Sequence, residues 1–295
     1  ALIEGITSSG VACVDVGLID TPMVYFAINH LGACGGIQVT ASHNPVEYNG
    51  FKISGIKARP IGQDTGLKEI QHIVSTLRRM PAGASLAPAQ TVDLWSEYRD
   101  HVLRFLRTPR RLKVVVDASN GMGGKMVPPV FDGTGIDLIP LNFEIGQGFV
   151  HPPNPLVEAN LAMLKEAVLK EKADLGICMD GDADRCMFVD EQGRTVRCDL
   201  MTALLARHFL KDSAGGMVVY DLRSSRVVAE EIRAAGGVPR RERVGHAFMK
   251  KAIADTHAVF GGELSGHFYF RDNFNADSGA ILLADTIEAS DQPRI

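Results

Sequence analysis

Three aspartates, Asp180, Asp182 and Asp184, alternate within the run "CMDGDADRC". Carboxylates this close repel: two unit charges about 4 Å apart cost about 4 kcal/mol at an effective dielectric near 20. A cation removes that cost, and hard oxygen donors without sulfur or imidazole suit Mg2+. Gly181 and Ala183 are small, so the backbone can curl and aim the three carboxylates inward. An EF-hand fits less well. Glu191 stands at its twelfth position, but Arg185 occupies the sixth, where glycine is needed, and a strand-like run precedes the loop. A solvated acidic turn without metal is the plain alternative. Arg185 can reach a phosphate held by the same metal, or simply pair with Asp184 or Asp190.

A second constellation is "TASHNP" with "NGFK" after it, which sets Ser42 beside His43 and ahead of Lys52. Ser42 is either a loop cap or a nucleophile. The G-x-S-x-G pattern of α/β-hydrolases is missing here, and "SNGMGGKM" lacks the first glycine and the Ser/Thr of a Walker A loop. A seryl oxygen near a metal loop can instead carry a phosphoryl group, which adds nearly two negative charges and three acceptor oxygens. His43 and Lys52 could then move protons or neutralise phosphate charge; taken singly, each reads as an ordinary loop or surface residue. A third loop, "FGGELSGHFYF", alternates Glu263, Ser265 and His267, which in an extended segment share one side. A carboxylate beside a hydroxyl suits vicinal sugar hydroxyls; the plain alternative is a glycine-rich turn. Arg223 in "YDLRSS" and His246 in "VGHAFMKK" stand at further element ends.

The elements that must position these loops alternate strand and helix. "VACVDVGLI", "GGIQVT", "RLKVVVDASNG", "IDLIPLN", "DLGICMD", "GMVVYDL" and "AVFGGEL" read as strands. Helical period marks the start "ALIEGITSSG", then residues 21–32, 66–77, 156–173, 200–211 and 225–237. "HPPNPL" reads as a rigid connector. This alternation predicts three successive α/β domains with mixed, mostly parallel sheets facing a common cleft, bounded at 1–106, 107–208 and 209–295. Each third ends a strand in one of the polar loops, where open α/β sheets bind ligands.

The 295 residues carry 31 basic and 35 acidic side chains, a balance that suggests no nucleic-acid partner. Arginines do cluster at Arg104, Arg107, Arg110 and Arg111, and at Arg240, Arg241 and Arg243, each group reading as a solvated face. No apolar run approaches a membrane span. Five cysteines without a C-x-x-C pair predict packed thiols in a reducing compartment, hence the cytoplasm. The sequence assigns no oligomeric state.

Taken together, "TASHNP", "NGFK", "PNPL", "DGDADR", "VGHAFMK" and "GGELSGH" resemble the α-D-phosphohexomutase family, on its phosphomannomutase/phosphoglucomutase branch. The resemblance implies that Ser42 is phosphorylated and that Asp180, Asp182 and Asp184 hold Mg2+ with it. It implies acid/base or phosphate-contacting roles for His43, Lys52 and His267, cleft-lining roles for Arg185, Arg223 and His246, and sugar contacts for Glu263 and Ser265. The implied reaction interconverts hexose 1-phosphate and hexose 6-phosphate, of mannose or glucose, through a 1,6-bisphosphate. "GELSGH" and "DLRSS" lean towards mannose. Family members also carry an earlier strand and helix and a fourth, phosphate-clamping domain. The first and last domains are therefore expected to be incomplete, the fourth absent, and turnover by this chain alone poor. The rival functions are a Mg2+-dependent sugar-phosphate phosphohydrolase and an inactive sugar-phosphate binder.

Overall fold

The structure, a computed structural model, describes residues 1–77, 87–107 and 111–289. Arg110 and the tail from Ser290 lie outside the described residues.

The first third runs α1 (Leu2–Ser8), β1 (Cys13–Asp15), α2 (Thr21–His30), β2 (Gly35–Val39), β3 (Phe51–Gly55), α3 (Lys68–Thr76) and β4 (Ala89–Thr91). β1 pairs parallel with β4, and β2 pairs antiparallel with β3. Pro22 sits in the first turn of α2, where a missing N–H costs nothing. Thr21 to Ile28 of that helix are all buried, as expected for a helix apolar on every face.

The second third holds α4 (Trp95–Leu103), β5 (Lys113–Asp117), α5 (Gly123–Phe131), β6 (Asp137–Leu141), α6 (Ala162–Glu171), β7 (Leu175–Met179), β8 (Cys186–Asp190) and β9 (Thr195–Val196). Its sheet is ordered β6-β5-β7-β8-β9. The last third holds α7 (Cys198–Lys211), β10 (Met217–Asp221), α8 (Arg226–Ala234), β11 (Val238–Glu242), α9 (His246–Thr256), β12 (Phe260–Gly262), β13 (Phe268–Phe270), β14 (Ala276–Asp277) and α10 (Gly279–Ala289). Its order, β11-β10-β12-β13-β14, repeats the second sheet strand for strand.

The sheets are mixed, as expected: β5 and β10 have parallel neighbours on both sides, while β7–β8–β9 and β12–β13–β14 run antiparallel. Each polar loop is short, and a short loop can only return the chain antiparallel. The boundaries sit differently. α4 packs on α5 and α10, not on the first sheet, and the boundary expected near Phe209 falls inside α7, which packs on α8 and β12.

One continuous apolar core joins the three thirds, running from Met23 and Phe26 through Tyr98, Val115 and Phe188 to Phe260 and Phe268. α4 is its tie. Tyr98 donates to Asp20 of the first third at 3.0 Å, Arg99 donates to the Pro129 carbonyl of the second at 3.0 Å, and His101 pairs with Asn273 of the last at 2.7 Å.

Candidate active site

The three chemical loops are the tips of three hairpins, β2–β3, β7–β8 and β12–β13, and the structure brings them together. Ser42 sits with φ at 54°, in the left-handed region, and its N–H donates to Thr40 Oγ1 at 2.8 Å. Its Oγ donates to Asp180 Oδ2 at 3.2 Å and lies 3.3 Å from His43 Nδ1. Glycine makes the approach possible. A Cβ on Gly181 would stand 2.3 Å from the Ser42 carbonyl oxygen, and one on Gly121 would stand 2.5 Å from the Gly181 carbonyl oxygen.

Asp180, Asp182 and Asp184 are all buried, with one oxygen from each within 4.8 Å of the others. Lys52 reaches across from β3: its Nζ donates to Asp182 Oδ2 at 2.7 Å and also to Asp184 Oδ2. Burial works against the Lys52 charge, but Asp184, Asp182 and Asp180 outweigh it and hold the ammonium well above the usual lysine range. Burial, reinforced by Asp184 and Asp182, pushes the Asp180 carboxyl far up. Asp184 feels the same burial, yet Lys52 and His267 overcome it and hold its carboxyl well down. Two carboxylate oxygens, Asp182 Oδ1 and Asp184 Oδ1, are buried without a hydrogen-bond donor. Three clustered carboxylates, compensated by one ammonium and with two oxygens unserved, are the donor set a hard divalent ion needs.

His43 is partly buried; burial first, and the Arg185 charge second, lower its pKa. That favours a neutral imidazole beside Ser42. Arg185 runs along the cluster, its Nε 3.7 Å from Asp180 Oδ2 and 4.0 Å from Asp184 Oδ1, and donates to His267 Nε2 at 3.3 Å. His267 Nε2 lies 3.6 Å from Asp184 Oδ1, so the third loop docks on the second. Ser265 Oγ lies 3.1 Å from His267 Nδ1.

Glu263 stays beside Ser265 and His267 although Gly266 at φ 85° turns the segment: its Oε2 lies 3.6 Å from His267 Nδ1, the nitrogen that Ser265 Oγ also approaches. Both Glu263 oxygens are taken, one by the Gly245 N–H at 2.9 Å and the other by the Tyr269 hydroxyl at 2.6 Å. Arg223 grips the buried Asp221 through Nη2 at 2.6 Å and Nε at 3.1 Å, and His246 opens α9, exposed.

Sequence reasoning missed three members. Thr21 Oγ1 donates to Asp182 Oδ2 at 2.6 Å, and the Thr21 N–H to the Asp182 carbonyl at 3.0 Å. Lys250, buried, pairs with Asp277 at 2.6 Å, while its Nζ lies 3.6 Å above the Tyr25 ring. Asp277 in turn converges with Asp184 and His267. Lys250 lies four residues after His246 on one helix face, a spacing that could have flagged it.

Comparison with known proteins agrees with this geometry. Residues 1–79, 96–193 and 198–293 match domains I, II and III of the phosphoglucomutase/phosphomannomutase family, each described as an alpha/beta/alpha domain. A phosphomannomutase of Escherichia coli (strain K12) is 37% identical over 306 residues, covering 99% of this chain and 67% of that protein. A crystal structure of a phosphoglucomutase/phosphomannomutase family protein from Burkholderia thailandensis superposes with a TM-score of 0.87 at 30% identity, covering 97% of this chain and 64% of that one. At the level of fold alone, the N-acetylphosphoglucosamine mutase of Aspergillus fumigatus, solved with GlcNAc-6P and magnesium, matches with a TM-score of 0.59 at 16% identity, over 98% of this chain and 81% of that one. The chain thus spans about two thirds of the length of the E. coli relative.

Proposed function

The chain belongs to the phosphoglucomutase/phosphomannomutase family, and from that premise we propose that it is a phosphohexomutase acting through a phosphoserine at Ser42. The observation that carries the reading is the 3.2 Å approach of Ser42 Oγ to Asp180 at the mouth of the three-aspartate cluster. Mg2+ fits Asp180, Asp182 and Asp184: the donors are hard oxygens, and Asp182 Oδ1 and Asp184 Oδ1 lack partners. A divalent ion bound there supplies charge neutralisation to a phosphoryl group on Ser42.

The chain's own residues do the rest. The phosphoryl group leaves Ser42 Oγ for a hydroxyl of a hexose monophosphate, breaking one P–O bond and forming another. His43, kept neutral beside Ser42, is placed to take or return the proton that each transfer displaces. Lys52 does not shuttle protons in this reading, because the aspartates keep it charged; it balances the cluster and orients Asp182 and Asp184. Arg185 stabilises charge on the transferring group, while Ser265 and His267 meet the sugar. Glu263 serves as the strut that ties the Gly245 turn to Tyr269, and so sets His246 and Lys250 on α9. The hexose 1,6-bisphosphate formed in the first transfer turns over and returns its other phosphate to Ser42. The name of the E. coli relative favours mannose 1- and 6-phosphate over the glucose pair as substrates. We assign the enzyme to the cytoplasm, in keeping with its free, mostly buried thiols.

Intact-mass analysis with peptide mapping, followed by incubation with hexose monophosphate, tests the reading. One phosphate on Ser42 that moves to the sugar as a bisphosphate supports it. Inorganic phosphate released in step with substrate loss would assign a phosphohydrolase instead, and phosphate on any other residue would remove Ser42 from the reaction.

A further inference from the structure

Below the acidic loop a second set of ligating side chains converges, with different chemistry. Asp117 ends β5 and stands directly opposite Cys178 of β7, while His151 opens the proline-rich connector. One ligating atom from each lies within 4.8 Å of the other two. Asp117 is fully buried. Its Oδ1 accepts from the Ser119 N–H at 2.9 Å and from Asn142 Nδ2 at 3.0 Å, which leaves Oδ2 turned to His151 Nε2 at 3.0 Å. The other ring nitrogen, Nδ1, faces the Pro152 carbonyl at 3.0 Å. Both nitrogens of His151 therefore face acceptors, whereas a neutral imidazole has one N–H. Two states satisfy the ring: an imidazolium, or an imidazole with a metal ion in place of the Nε2 proton. The Nδ1–H to carbonyl contact is the outer-shell bond that orients metal-binding histidines. Cys178 is fully buried with only long contacts, 3.5 Å to Ser119 Oγ and 3.8 Å to the Met179 carbonyl.

We propose that Asp117, His151 and Cys178 form a second metal site, for an ion of the zinc class, separate from the three aspartates. Donor chemistry makes the separation. Thiolate and imidazole suit Zn2+, Co2+ or Cd2+ and serve Mg2+ poorly, while the all-oxygen aspartate cluster does the reverse. Three protein donors and one water complete a tetrahedron, and bond lengths of about 2.0–2.3 Å ask for small closures among the three side chains. The ion replaces the Nε2 proton of His151 and the thiol proton of Cys178, both passing to solvent. It clamps the connector to the carboxyl ends of β5 and β7, two residues before Asp180. The imidazole side chain, 10% exposed, offers the way in.

The test titrates the 295-residue chain, stripped with chelator, with Co2+ in excess Mg2+. A thiolate-to-cobalt charge-transfer band is expected to saturate at one equivalent and to vanish when Zn2+ is added. Cys178→Ala should abolish the band and weaken Zn2+ binding by about 100-fold or more. Asp180→Asn should leave the band in place. His151→Gln, at a partly exposed position, gives the same reading should the cysteine variant fold poorly. No band in the unmutated chain, a band that survives Cys178→Ala, or one lost in Asp180→Asn overturns the proposal. The first of these outcomes assigns His151 as an imidazolium paired with Asp117.

Discussion

Lys52→Met separates the two cations that the acidic cluster can use. In the chain alone, the Lys52 ammonium serves Asp182 at 2.7 Å and also Asp184. Both carboxylates are 2% exposed and the lysine side chain 28%, so the pair is buried on one side and thinly solvated on the other. Breaking a fully buried pair costs about 3–5 kcal/mol. With some water reaching Nζ, about 3 kcal/mol is the working figure, or roughly 6–12 °C in melting temperature for a chain of this order. The contact joins β3 of the first third to the acidic loop of the second, so the loss falls on their docking. Saturating Mg2+ should recover more than half of the deficit, since a divalent ion then meets the unserved Asp182 and Asp184 oxygens. Mg2+ affinity itself should rise by about tenfold or more, because the competing ammonium is gone. Calorimetric melting with and without Mg2+ and a direct Mg2+ titration measure both effects. Lys68→Met, which breaks the exposed 3.5 Å pair with Asp64, serves as the control and should melt as the parent does. Equal deficits with and without Mg2+, or unchanged Mg2+ affinity, would refute charge exchange between lysine and metal.

Three further perturbations probe the same construction. Gly181→Ala puts a methyl 2.3 Å from the Ser42 carbonyl oxygen; restoring ordinary contact at 3.4 Å moves the serine loop by about 1.1 Å, and turnover measured with hexose phosphate should fall about 100-fold. Gly5→Ala, where nothing lies within 4 Å, should leave turnover unchanged. Ser42→Ala should abolish phosphate incorporation by mass spectrometry while costing about 1 kcal/mol in denaturant unfolding, since it removes only the long, partly buried contacts of Oγ with Asp180 and His43. His151 titrates above the usual histidine value because Asp117 accepts its proton, against opposing burial. Its raised pKa means that the stabilisation is complete below the ordinary value and is lost as pH rises through the folded one. In chelator, His151→Gln should therefore be markedly less stable than the parent near pH 6 and converge on it near pH 9; a difference that grows with pH would reverse the assignment.

The acidic loop was legible because alternation of charge in five residues has few physical solutions, and the structure buries all three aspartates as that reasoning requires. The seven strands read from apolar runs are present, though β1 is confined to Cys13–Asp15. β3, β4, β8, β9, β11, β13 and β14 went unread. Asn49-Gly50 precedes β3 and Asp180-Gly181 opens the β7–β8 loop, but each dipeptide lies inside a polar loop longer than a two-residue turn, so neither announced the return of the chain. Glu263, Ser265 and His267 do come together, but the two bonds that bury Glu263, from the Gly245 N–H and the Tyr269 hydroxyl, depend on the neighbouring helix and strand. The bonds from Thr21 to Asp182 and from Lys250 to Asp277 lie beyond local pattern altogether; the first spans 161 residues and exists only once two sheets have docked.

The placement of chemistry at hairpin tips also explains why the fold can hold strain there. β2–β3, β7–β8 and β12–β13 each pin both ends of a loop in a ladder, leaving the tip free of sheet hydrogen bonds. Ser42 and Ala183, neither of them glycine, adopt φ of 54° and 57° in two of those tips, a conformation that costs about 1 kcal/mol or more each. The cost is tolerated because the neighbours leave no alternative: Ser42 is held by Thr40 and Asp180, and Ala183 is fully buried, its N–H bonded to the Asp180 carbonyl and its own carbonyl accepting from Gly279 of α10. Serine and metal loop are thus set against each other by three sheets before any substrate arrives. Relieving the strain in the metal loop, by Ala183→Gly, should stabilise the local backbone yet loosen the 3.2 Å approach of Ser42 Oγ to Asp180 on which phosphoryl transfer depends.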